Sequence, residues 1–89
     1  MTEDIDITRK RLIFRSWHRG TREMDLIMGR FADTHVPAMT ADQLAAYDRL
    51  LHQQDPDVYD WYIGAGTVPP EEDSDVMQMF LKFKMAEAG

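Results

Sequence analysis

Eighty-nine residues, 44% of them hydrophobic and none of them cysteine, describe a single folded domain without disulfides or thiolate metal sites. A chain of this length buries roughly 60–65% of the surface its unfolded form exposes, enough for one compact core but rarely for a deep catalytic cleft. The formal net charge of −6 repels nucleic-acid phosphate, and no apolar run approaches the roughly 20 residues of a membrane span.

The chain opens with Met1-Thr2-Glu3-Asp4-Ile5-Asp6, which has three acids and no apolar h-region. It resembles neither a secretory signal nor an Arg-rich transit peptide, so a bacterial-like cytoplasmic location is expected. Residues 1–6 and 86–89 are expected to fray at the two ends of a single domain spanning 1–89.

Helical periodicity dominates from there, with no convincing strand alternation and no hairpin signal. A first helix is predicted over Thr8 to His18, capped by Asp6 or Thr8, with Leu12, Ile13, Phe14 and Trp17 as its apolar face. Gly20 breaks it, as a residue that takes positive φ without steric cost. A second helix runs from about Thr21 to Thr34, and Met24, Ile27, Met28, Phe31 and His35 form its stripe. Pro37 ends that segment.

Thr40-Ala41-Asp42-Gln43 matches a capping box and starts a third helix with Leu44, Tyr47, Leu50 and Leu51 inward. Asp55-Pro56 reads as an N-cap followed by proline at the first helical position. The fourth helix then buries Val58, Trp61 and Tyr62 and ends at Gly64 and Gly66. After the stiff Val68-Pro69-Pro70, the acids Glu71, Glu72 and Asp73 suit the start of a fifth helix. Val76, Met79, Phe80 and Phe83 line one face of it, and Lys82 and Lys84 lie near its end. The expected fold is all-α, a compact five-helix bundle.

Charge is unevenly placed. Residues 1–30 hold seven bases against five acids, and residues 31–89 hold three bases against eleven acids. Between Arg9 and Arg22 there are six bases and no acid. A basic end on an acidic body fits a protein partner with acidic groups better than a nucleic acid.

Candidate chemistry is sparse. His18, His35 and His52 fall on three different predicted helices or their ends, without the spacing of a metal site. Asp55, Asp57 and Asp60 are interrupted by Pro56 and apolar residues and lack the glycine and glutamate of a calcium loop. Ser16 and Ser74 have no evident base partner, and no glycine-rich phosphate loop exists. Catalytic residues and metal ligands of its own are therefore not expected. What remains is the turn His18-Arg19-Gly20-Thr21-Arg22-Glu23. It reads either as an ordinary solvated helix-helix turn or as a docking loop. In the second reading Gly20 permits close backbone approach and the arginines offer planar forks to carboxylates.

Arg19-Gly20-x-x-Glu23, behind a basic helix with Trp17 and ahead of an apolar helix, resembles the signature of the succinate dehydrogenase flavinylation and assembly factor family. The likeness extends through Arg11-Leu12, Thr21-Arg22 and Met24-Asp25, Phe31, Leu50-Leu51, Asp55-Pro56-Asp57, Trp61 and the proline-led last helix. It implies a helical assembly factor, monomeric when free and not an enzyme. Such a factor binds the flavoprotein subunit of succinate dehydrogenase or fumarate reductase and promotes covalent attachment of FAD. It would carry no cofactor of its own and act on FAD held by the partner. Arg19, Gly20 and Glu23 would face that partner, with Arg15, His18, Thr21 and Arg22 in secondary roles. The family often has an arginine and a methionine where this chain has His18 and Thr21. The resemblance also implies a rival reading, an antitoxin-like regulator that binds a toxin. In the docking mechanism Arg19 and Arg22 would pair with carboxylates of the flavoprotein and Glu23 with a cation.

Overall fold

The computed structural model describes residues 4–83. Five α-helices form in chain order: α1 (Ile5–Ser16), α2 (Arg22–His35), α3 (Ala41–Leu51), α4 (Asp55–Ile63) and α5 (Asp75–Lys82). Short 3₁₀ turns at Val36–Ala38 and Pro70–Glu72 complete the path. No strand occurs among the described residues.

The helix starts show capping chemistry at work. The Thr40 hydroxyl accepts from Gln43 N at 3.2 Å while the Gln43 side chain accepts from Thr40 N at 3.0 Å, so the box predicted for α3 closes in both directions. Thr21 caps α2 by accepting from Met24 N. Other starts differ from expectation. Asp4, not Asp6 or Thr8, caps α1, accepting from Asp6 N at 2.8 Å, so the helix begins three residues early and takes in residues expected to fray. The cap of α4 is Gln54, which makes no side-chain bond, and Asp55 is already helical. The acids before α5 form the 3₁₀ turn, and Ser74 caps the helix by accepting from Met77 N. Gly64 ends α4 at φ +81°, the left-handed conformation glycine adopts without strain. Lys84 and the fraying expected at 86–89 lie outside the described residues.

The core follows the α2 stripe. Met24, Ile27, Met28 and Phe31 are buried, and His35 is half-buried at the helix end. The Phe31 ring meets Tyr47 at 5.5 Å, and Phe80 and Phe83 edge-on at 5.4 and 5.6 Å. Such aromatic pairs add to the area term. Met39 and Met77 are also buried, though neither lies in a predicted stripe. Phe14, expected in the apolar face of α1, is instead 62% exposed. α1 packs on α2 and α3, and α3 and α4 pack on α5.

One polar cluster sits inside. The Ser16 hydroxyl lies 2.7 Å from Leu12 O and shares a 2.6 Å hydrogen bond with the Tyr47 hydroxyl, which also reaches Met28 O at 3.5 Å, and both side chains are fully buried. Burial pushes the Tyr47 phenol well above the ordinary tyrosine value. This bond ties the last turn of α1 to the middle of α3, just ahead of the turn that the sequence singled out.

Candidate functional site

The turn from Trp17 to Thr21 joins α1 to α2. Its entry is set by Trp17, the C-cap of α1. The half-buried indole lies flat against Gly29 of α2, and its Nε1 donates to Asp33 at 3.2 Å. A Cβ on Gly29 would fall within 2.5 Å of Trp17 Cε3 and nearer still to Cδ2 and Cε2. Glycine at 29 is thus the seat of the indole, and the indole fixes where the chain leaves α1.

Arg19 comes next, and its side chain is engaged within the chain. Its guanidinium turns inward, with the side chain only 11% exposed. Nε and Nη2 both donate to Asp55 Oδ1, at 3.0 and 2.7 Å. Nη1 donates to Leu51 O at 2.7 Å and Nη2 to Gln53 O at 3.1 Å. The cation therefore lies at the C-terminal end of α3, where the helix dipole favours positive charge. Asp55 lies in the first turn of α4, where the dipole favours negative charge. The Arg19 backbone N–H is also used, donating to Asp25 Oδ1 at 2.5 Å. The Arg19 fork is engaged on this chain.

Gly20 follows at φ +113°, exposed, with nothing within 4 Å of the position a Cβ would take. The turn needs glycine for its backbone conformation, and the space above it is open. Arg22 and Glu23, in the first turn of α2, are exposed as expected. Tyr59 of α4 meets the Glu23 carboxylate, and hydrogen bonding to that group, with its charge, raises the phenol above its ordinary value.

The secondary residues are variously engaged. Arg15 donates to Asp48 at 2.7 Å. His18 stacks on Phe14 with ring centroids 4.0 Å apart, and its Nδ1 lies 2.6 Å from Phe14 O. Thr21 is occupied as the N-cap of α2. The exposed face of the turn is thus built from Gly20, Thr21, Arg22 and Glu23, flanked by the Phe14–His18 stack.

Sequence reasoning missed Asp55 as part of this arrangement, because Asp-Pro reads first as a helix start. It also missed Gly29 and Tyr59, which no local pattern marks. No group of three His, Cys, Asp or Glu side chains among the described residues is placed to hold a metal ion. A shallow depression of about 250 Å³ lies at the opposite end of α2, between His35, Met79, Lys82 and Phe83. No helix among the described residues is long and apolar enough to cross a membrane.

Comparison with known proteins gives this geometry a context. The family described as flavinator of succinate dehydrogenase matches residues 10–84. The chain is 37% identical over 76 residues, 85% of its length, to a Dictyostelium discoideum protein named succinate dehydrogenase assembly factor 2, mitochondrial. It is 42% identical over 72 residues to the Aspergillus flavus protein of the same name. It is 31% identical over 80 residues to the FAD assembly factor SdhE of Acetobacter pasteurianus, covering 90% of this chain and 73% of that protein. It spans 54% of the Dictyostelium protein and 24% of the Aspergillus one. With a match running through all five helices and the turn between α1 and α2, the chain belongs to the succinate dehydrogenase flavinator family.

Proposed function

We propose that this protein is an assembly factor that binds the flavoprotein subunit of succinate dehydrogenase and promotes covalent attachment of FAD to it. The observation that carries this reading is the exposed Gly20–Glu23 turn on a braced frame, in a chain of this family. Gly20 lets a partner backbone approach closely. Arg22 and Glu23 offer opposite charges one residue apart, so they specify orientation more than affinity.

In this reading the protein is not itself an enzyme. The FAD stays with the partner, and the flavoprotein supplies the bond-forming chemistry. Docking favours the subunit conformation in which the flavin and its attachment residue are aligned, so the gain is in orientation and population. The free protein is a monomer in this proposal and acts in the cytoplasm. Fumarate reductase is a second client on the same chemistry.

The test mixes purified protein, unflavinylated subunit and FAD, and reads covalent flavin fluorescence after denaturing electrophoresis. A clear increase over the subunit and FAD alone is expected, and it should be lost with Glu23→Arg. No increase with the wild-type protein refutes the assignment.

A further inference from the structure

The Arg19 guanidinium makes four hydrogen bonds within its own chain and is nearly buried. Its three acceptors (Leu51 O, Gln53 O and Asp55 Oδ1) come from the last residue of α3, the link that follows and the first residue of α4. Turning the arginine out to a partner would strip donors from all three and leave Asp55 without its cation. An ion pair broken in this way costs more than one that never formed. The turn is braced a second time at the same residue, through the Arg19 N–H and Asp25. The exposed residues Gly20, Thr21, Arg22 and Glu23 follow immediately in the chain.

We propose that Arg19 is a positioning residue. Together with Asp55 it forms a latch that fixes the docking turn to the α3–α4 junction, and it does not itself touch the flavoprotein. This rests on the docking reading above and adds Asp55, 36 residues away in sequence, to the functional set. The latch works by keeping the turn in its binding geometry before the partner arrives. If the unlatched turn holds that geometry about one time in ten, apparent affinity falls about tenfold.

The test uses Arg19→Ala, Asp55→Ala and the double variant, all at a temperature where circular dichroism shows each to be folded. Asp55→Asn and Arg19→Lys stand in if the alanine variants do not fold. Asn keeps an acceptor oxygen without the charge, and Lys keeps the charge without the fork. In the free protein, backbone amide order parameters at Gly20–Glu23 should fall from about 0.85 towards 0.6, with the α2 and α3 core unchanged. Binding to the unflavinylated subunit, measured by calorimetry, should weaken about tenfold for each single variant and no further for the double. Lost affinity in Arg19→Ala alongside unchanged or tighter binding by Asp55→Ala overturns the proposal, because a freed guanidinium would then be reaching the partner. Unchanged order parameters in every variant also overturn it. A loosened turn with unaltered affinity keeps the latch and refutes the docking surface it was thought to serve.

Discussion

Replacing Gly29 by alanine isolates the contact that sets the approach to the turn. In an unencumbered helix interior, Gly→Ala stabilises by about 0.8–1.0 kcal/mol. Here the new methyl carbon would lie within 2.5 Å of the Trp17 indole, whereas carbon atoms in contact prefer about 3.5–4.0 Å. The indole must therefore retreat by about 1 Å or more, straining the Nε1 bond to Asp33. Overpacking of this kind costs about 1–3 kcal/mol. Set against the helix gain, Gly29→Ala should destabilise by about 1 kcal/mol net, a fall of about 4–8 °C in Tm for a domain of this size. In a Trp17→Ala background the obstacle is gone, and the same change should stabilise by about 1 kcal/mol. The signature is an inversion of sign, with a coupling energy near 2 kcal/mol in a double-mutant cycle. Urea unfolding followed by circular dichroism measures all four proteins. Tryptophan emission in a Trp61→Phe background reports whether the Trp17 indole moves into solvent. If Gly29→Ala stabilises equally in both backgrounds, Trp17 is not seated on Gly29 and the account of how α1 enters the turn is wrong.

Further outcomes follow from the same geometry. Gly20→Ala meets no atom but forces a side chain onto φ +113°; it should cost about 1–3 kcal/mol in thermal unfolding. Gly20→Arg should match it in stability while depressing flavin attachment further. Ser16→Ala removes the nearer partner of the buried Tyr47 hydroxyl and leaves it only Met28 O at 3.5 Å; it should cost about 1–3 kcal/mol, much of which Tyr47→Phe should restore in the same background. Because burial raises the native Tyr47 pKa, the unfolded chain loses the phenolic proton first. Stability should be intact below about pH 10, the unfolded value, and decline as pH rises towards the higher native value. Tyr47→Phe should remove that decline in alkaline urea titrations.

What the sequence carried legibly was whatever depends on neighbours. The α2 stripe recurs at the helical period, and Met24, Ile27, Met28 and Phe31 of it reach the core. The Thr40 capping box involves residues three apart and closes as written. The slip at α4 comes from an ambiguous pattern. Asp-Pro fits both a cap followed by the first helical residue and the first two helical residues, and Asp55 takes the second arrangement, paired with the Arg19 guanidinium at 2.7 Å. Phe14 was misplaced because its spacing suits the buried face of α1 as well as the His18 stack it joins. Gly29 gives no local signal at all, since its meaning lies in an indole twelve residues earlier.

The basic stretch changes most once it is folded. Six bases from Arg9 to Arg22 suggest a strongly positive surface, but Arg9, Arg15 and Arg19 among them are engaged within the chain. Arg9 pairs with Asp6 and donates to Met39 O, Arg15 pairs with Asp48, and Arg19 pairs with Asp55. The bonds of Arg9 to Met39 O, Arg15 to Asp48 and Arg19 to Asp55 pin α1 and the turn to the rest of the bundle. The charge presented beside Gly20 narrows to Arg22 and Glu23, a cation and an anion on adjacent residues. A broad positive surface would bind acidic proteins at large and be sensitive to salt. A small bipolar turn on a braced frame favours a partner with one matching site, so ionic strength should affect docking far less than the sequence charge count implies.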